Sequence, residues 1–75
     1  MDDDTKLLNL ALDAGEIMLT SGAETYRVQD TMLRILSVSG RKQVEALALS
    51  TMLIVSLPRV EKGPLSMARG VKDRS

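Results

Sequence analysis

The sequence predicts an α+β fold in which a helical hairpin is followed by a three-stranded antiparallel sheet. In the first half of the 75-residue chain, apolar residues recur every three or four positions, which is the period of an amphipathic helix. After Arg41-Lys42 the pattern changes to alternation and then to a run rich in β-formers, as in strands. Residues typical of turns separate these segments, so each segment can be assigned to one element.

The first predicted helix has an apolar face whose members are four, three and four positions apart. They are Leu8, Leu12, Gly15 and Leu19. Asp4 or Thr5 precedes this face and can cap the helix, because its side-chain oxygen can accept a hydrogen bond from a free backbone N–H. Gly15 is small, as are two alanines beside it, so a neighbouring element can approach closely. Gly22 ends this helix or begins the next.

The second predicted helix begins at Ser21, because Ser21-Gly22-Ala23-Glu24 fits the capping box S-x-x-E. Its apolar residues at helical spacing are Val28, Met32, Ile35 and Leu36. Gly40 can adopt the left-handed backbone conformation that ends many helices. The two helices are therefore expected to form a hairpin over residues 5–40.

Residues 44–72 are predicted to form the sheet. Two strands flank a corner at Ser50-Thr51. A single helix over residues 44–57 is the alternative, since alanine and leucine favour helices. Residues 61–64 (Glu-Lys-Gly-Pro) predict a turn, and the alternation from Leu65 to Val71 predicts a third strand.

Both faces of the predicted sheet carry apolar residues, and two helices can cover only one of them. The chain also has no Phe or Trp, so its core is thin. We therefore expect residues 1–75 to form a single, partial domain, which either assembles into a homo-oligomer or belongs to a longer protein.

The composition excludes several classes of function. The chain has no His and no Cys, so it cannot form a disulfide, a zinc site on those ligands, or a Ser-His-Asp or Cys-His nucleophile. Its 10 basic and 10 acidic residues balance, whereas nucleic-acid-binding domains usually carry a basic excess. Neither Ser21 nor Ser50 lies in a G-x-S-x-G elbow. We expect no enzymatic activity, no metal, no cofactor and no nucleic-acid partner.

The zero net charge conceals an asymmetry. Residues 1–30 contain seven acids and two bases, whereas residues 31–75 contain three acids and eight bases. The charges can be solvated helix faces, the two halves can attract each other, or the basic half can lie near an anionic membrane surface. The longest stretch without a charge, Ala46 to Pro58, has 13 residues, whereas a membrane-spanning helix needs roughly 20. By itself the chain is expected to be soluble.

Residues 22–31 read G-A-E-T-Y-R-V-Q-D-T. This run resembles the signature G-A-E-T-x-R-V-E-D-T of the N-terminal cytoplasmic domain of the bacterial threonine/serine exporter family. The matching positions are Gly22, Ala23, Glu24, Thr25, Arg27, Val28, Asp30 and Thr31, together with Thr51 in the hairpin. Gln29 stands where the family commonly has an acid, and Ser50-Thr51-Met52 stands where it usually has a Pro-Thr-Gly corner. Residues 71–75 resemble the segment before the family's next helix.

The resemblance implies a parent transporter that exports threonine, serine or similar amino acids by using the proton-motive force. It implies a membrane-spanning remainder, in the same chain or in a separate subunit, and a location on the cytoplasmic side of the bacterial inner membrane. In that context the domain is expected to regulate, gate or assemble the exporter and not to transport by itself. Two alternatives are a component of a dicarboxylate (succinate) exporter and a free-standing module that dimerises through its uncovered sheet face.

Three charged residues of the signature are candidates for binding substrate. Arg27 can grip a carboxylate through its planar guanidinium, and Glu24 or Asp30 can hold an ammonium group. Structural roles are the alternative, with Ser21 and Glu24 as the capping box and Arg27 and Asp30 as a surface ion pair.

The threonines of the signature are expected to be structural. Thr25 and Thr31 lie within the second predicted helix, where hydroxyls most often bond to the backbone of their own helix. Thr51 lies at the predicted hairpin corner and is expected to be a turn residue.

Overall fold

A computed structural model describes residues 2–72 and confirms the α+β fold. Two helices precede a three-stranded antiparallel sheet with strand order β1-β2-β3. The elements are α1 Asp3–Thr20, α2 Thr25–Leu36, β1 Glu45–Ala48, β2 Met52–Leu57 and β3 Leu65–Gly70, with one 3₁₀ turn at Ser37–Ser39 after α2. Residues 73–75, part of the segment that resembles the one before the family's next helix, lie outside the described residues.

The first helix begins two residues earlier than the sequence predicts. Asp2 is the N-cap, and its carboxylate accepts a hydrogen bond of 2.7 Å from the backbone N–H of Thr5. The prediction of Asp4 or Thr5 as the cap is therefore wrong. Asp3 and Asp4 lie inside the first turn, where the positive end of the helix dipole stabilises negative charge.

The connection between the helices begins with a capping motif at the C-terminus of α1. The predicted capping box at the start of α2 is therefore wrong. Gly22 has a left-handed φ of 91°, and the N–H of Ala23 donates to the carbonyl of Met18 at 3.0 Å, which is the long hydrogen bond of a Schellman motif. Ser21 is the C-cap of α1. Glu24 is the N-cap of α2 but makes no capping hydrogen bond with its side chain. The left-handed glycine places Ser21 in the first helix, so it cannot start the second.

The hairpin is confirmed over the alternative of a single helix. Strands β1 and β2 pair in antiparallel register, and the N–H of Leu49 donates to the carbonyl of Met52 at 2.9 Å across the Ser50-Thr51 corner. The carbonyl of Thr51 accepts a hydrogen bond of 2.8 Å from the N–H of Val71. Thr51 is thus a turn residue, as predicted, and it holds the chain that leaves β3.

Both helices pack on one face of the sheet. Helix α1 contacts α2, β2 and β3, while α2 contacts α1 and β1. The largest fully buried side chains are Leu8, Leu12, Leu19, Val28, Met32, Leu36, Leu53, Val55 and Leu57. Gly15 is buried among them, and a Cβ at this position would lie 2.7 Å from Met32 Sδ. The expected close approach at Gly15 is therefore confirmed.

The opposite face of the sheet is open, as the sequence predicts. Leu47, Ile54 and Ala68 lie side by side across the three strands on this outer face. Leu47 and Met52 keep more than two-fifths of their surface exposed, and none of the described elements covers them.

The acidic and basic halves of the chain meet in two places. Arg69 of β3 donates to the carboxylates of Asp13 and Glu16 on α1, and Arg41 donates to Asp4 at 2.9 Å. The hydrogen bond to Asp13 raises the pKa of Arg69 above its already high ordinary value. The charge asymmetry thus contributes to holding the sheet against α1.

Candidate functional site

The signature-like run lies at the α1–α2 connection and along the first two turns of α2. Some of its residues have structural roles in the fold. Gly22 ends α1, Val28 is fully buried, and Ala23 packs against the core. Gln29 accepts a hydrogen bond of 3.1 Å from the backbone N–H of Ala48. Because Ala48 ends the edge strand β1, this bond satisfies a donor that the sheet leaves unpaired.

The role of Gln29 is compatible with either an amide or a carboxylate at this position. The Gln29 amide oxygen is the acceptor, and a carboxylate oxygen would accept the same bond. A glutamine in place of the acid that is common in the signature therefore keeps the contact between α2 and β1.

The three charged candidates, in contrast, are not packed in the core, since all of them are exposed. Asp30 forms an ion pair of 3.0 Å with Arg34, one turn further along α2, and not with Arg27, which is its partner in the structural alternative. Within residues 2–72, neither Glu24 nor Arg27 has a hydrogen bond or ion pair from its side chain. The spacing of four residues from Asp30 to Arg34 is the signal that could have identified Arg34.

A surface groove of about 620 Å³ brings two of the three candidates together. It runs along α2, and the residues that define it include Met18, Tyr26, Arg27, Asp30, Thr31 and Arg34. Glu24 does not line it. An open groove leaves a guanidinium and a carboxylate in contact with water, so each contributes little to holding a small ion. The exposed aromatic ring of Tyr26, which sequence reasoning did not single out, suits contact with another protein surface better.

The rest of the described chain adds no second candidate site. No ionisable residue is buried as a whole among residues 2–72, although Nη1 of Arg41 is enclosed without a hydrogen-bond partner. No group of three acidic residues there could hold a metal ion. Thr25 and Thr31 are half-buried on α2. None of the described helices combines the length and the apolarity needed to cross a bilayer.

A family model described as "Putative threonine/serine exporter" matches residues 9–75. No curated protein matches the chain, and no solved structure does. The matched range contains most of α1, the whole of α2 and the sheet, and therefore the entire signature-like run.

Proposed function

Since this chain belongs to the threonine/serine exporter family, we propose that it is a cytoplasmic part of such an exporter, with a role in assembly or gating. Its partner in this proposal is the membrane-spanning remainder of the transporter, in the same chain or in a separate subunit. One observation carries the proposal. The apolar and glycine residues of the signature build the fold, whereas Glu24, Arg27 and Asp30 face solvent.

That division of roles supports an intermolecular contact. Exposed charges contribute little to the stability of a domain. The charge of Arg27 is therefore not needed to stabilise the fold. A partner surface that removes these side chains from water would make the same charges matter, because ion pairs strengthen as the effective dielectric constant falls.

The experiment is an efflux measurement in the bacterium that encodes the chain. Cells lacking the chain should release threonine and serine more slowly than the parent strain after loading with these amino acids. The wild-type chain should restore efflux, while Arg27→Ala should not, although its melting temperature stays unchanged. Lys6→Ala, which removes an exposed positive charge from α1, is the matched control and should restore efflux. Unchanged release without the chain would overturn the proposal, and loss of succinate release alone would favour the dicarboxylate exporter.

Sensing of substrate is a second role for the same surface, because Arg27 and Asp30 line one groove. In this version Arg27 holds the carboxylate of the amino acid and Asp30 holds its ammonium group, while Glu24 lies outside the groove. A ligand that binds only the folded state raises its stability. Millimolar threonine or serine should therefore raise the melting temperature of the wild-type chain and not that of Arg27→Ala. A melting temperature that no ligand changes would contradict sensing and leave the assembly role intact.

The free-standing module that dimerises through its sheet remains a second candidate function. It is favoured by the exposure of Leu47 and Met52 on the outer face of the sheet. If this face is the interface, Leu47→Ser should convert a dimer into a monomer in light scattering. A wild-type monomer at every concentration would contradict it.

A further inference from the structure

The exposed side of α2 carries charges of alternating sign. We call six residues of this region the α2 stripe: Glu24, Tyr26, Arg27, Asp30, Leu33 and Arg34. Its charged members are three, three and four residues apart, and their signs run negative, positive, negative, positive. Because a helix turns once in about 3.6 residues, the three charged residues within α2 lie on one side of the helix. Glu24, the N-cap of α2, lies at the edge of this side. The stripe as a whole has no net charge.

Two larger side chains accompany the charges. Tyr26 keeps 71% of its surface exposed, and Leu33 is half-buried. They are seven residues apart, which is close to two full turns, so both lie along the same border of the stripe. None of the other described elements covers Tyr26. Tyrosine and arginine, both exposed in the α2 stripe, are enriched at protein interfaces.

We propose that the α2 stripe is the interface of a homodimer in which two copies of α2 pack antiparallel. A two-fold axis near residue 29 brings opposite charges together. Arg27 then faces Asp30 of the second copy, and Glu24 faces Arg34 of the second copy. The same axis places Tyr26 beside Leu33 of the second copy. In a parallel pair every charged residue would face the same residue of the second copy, so like charges would repel.

Self-complementarity is the reason to choose a second copy over another partner. A two-fold interface uses the same patch on both subunits, so each favourable contact occurs twice. The patch must then contain both members of each pair, and the α2 stripe does. The area available along one 12-residue helix is small compared with the roughly 1,200–2,000 Å² of a stable interface. The free chain should therefore dimerise weakly and more strongly when it is concentrated within a membrane complex.

The inference rests on the proposed assembly role and adds a second copy of the chain as the partner that α2 contacts, beside the membrane-spanning remainder. A cross-linking experiment tests the geometry, and it detects a weak dimer because the bond traps it. The natural chain has no cysteine, so introduced thiols are the only ones present. Tyr26→Cys mixed with Leu33→Cys should give a disulfide-linked dimer, whereas each variant alone should give several-fold less. Two copies of position 26 would be separated by roughly 10 Å along the helix axis, beyond the reach of a disulfide.

Charge reversal provides a second test that does not depend on cysteine. Arg27→Glu alone and Asp30→Arg alone should each weaken self-association at least about tenfold, since every reversal acts twice and replaces attraction by repulsion. An equimolar mixture of the two should associate again, because each reversed charge then faces an opposite one. Both residues are exposed, so the melting temperatures should remain within a few degrees of wild type, measured by circular dichroism.

The outcomes separate this inference from the proposed function. Leu47→Cys on the outer face of the sheet is the matched control and should not cross-link to itself. Efficient cross-linking at Leu47 with none between positions 26 and 33 would overturn the α2 dimer. The same conclusion follows if the mixed charge-reversal variants stay monomeric. Either result would leave the efflux measurement, and the assembly role it tests, unaffected.

Discussion

Replacing Gly15 with alanine adds one methyl group at a crowded point of the core. The new Cβ would lie 2.7 Å from Met32 Sδ and 3.0 Å from Leu53 Cδ1, whereas ordinary van der Waals contacts begin near 3.4 Å. Met32 and Leu53 have no exposed surface. Neither side chain can therefore swing into solvent, so one of them must change rotamer within the core or α1 must shift away from α2 or β2.

Two effects of opposite sign determine the result. Alanine is preferred over glycine inside a helix by about 1 kcal/mol. Overpacking a core costs about 1–3 kcal/mol. The free energy of unfolding should therefore fall by about 1 kcal/mol, which lowers the melting temperature of a domain of this size by about 4–8 °C.

Urea and thermal unfolding followed by circular dichroism measure this difference. Ile17→Ala compared with Ile17→Gly is the control, because Ile17 is exposed on the same helix and reports the helix preference alone. In a double-mutant cycle, Met32→Ala should relieve the crowding, so Gly15→Ala should be less harmful in that background. If Gly15→Ala instead stabilises the chain by the amount seen at Ile17, the space beside Gly15 is empty and the reasoning is refuted.

Three further predictions concern polar contacts. Gln29→Leu leaves the partly buried N–H of Ala48 without its acceptor and should cost about 1 kcal/mol in urea unfolding, whereas Gln29→Glu keeps an acceptor and should cost less than half as much. Arg69→Lys keeps the charge but loses the forked guanidinium that binds α1, so unfolding should become easier by about 0.5–1 kcal/mol. The hydrogen bonds from the backbone and side chain of Thr5 lower the pKa of Asp2. The ionised carboxylate of Asp2 therefore stabilises the fold above the ordinary carboxyl pKa, and this stabilisation is lost as the pH falls through the lowered value. Asp2→Asn should flatten this part of the acid stability curve, measured by circular dichroism.

Each of these predictions has a result that contradicts it. Equal stability of Gln29→Leu and wild type would mean that water satisfies the edge of β1. An unchanged urea midpoint for Arg69→Lys would show that its ion pairs with α1 are too exposed to matter. An acid transition that keeps its full pH dependence in Asp2→Asn would assign the titration to other carboxylates.

Local periodicity was enough to predict the secondary structure and its order. Two helical patterns followed by an alternating and a β-branched pattern leave few packing arrangements, so the α+β fold, the hairpin and the open sheet face could all be predicted. Gly40, which adopts a left-handed φ of 78° after the 3₁₀ turn, and the corner at Ser50-Thr51 were also predictable, because turns depend on residues that are adjacent in the chain. The family could be identified for the same reason, since its signature is a continuous run.

Contacts between distant residues could not be predicted in this way. Arg69 binds Asp13 and Glu16 more than 50 residues away, and Gln29 reaches Ala48 across 19 residues. Nothing in the local pattern of the chain selects these partners from other residues of the same type, because the pairing depends on the register in which helices and sheet pack.

Where one local sequence fits two structures, tertiary packing selects between them. Ser21 fits a helix start as well as a helix end, and the core-facing position of Leu19 together with the left-handed Gly22 made it an end. In the same way, the sequence by itself showed that Glu24, Arg27 and Asp30 belong to one motif. Only the tertiary structure placed them on the surface, because packing buries the apolar side of α2 and leaves the opposite, charged side to solvent.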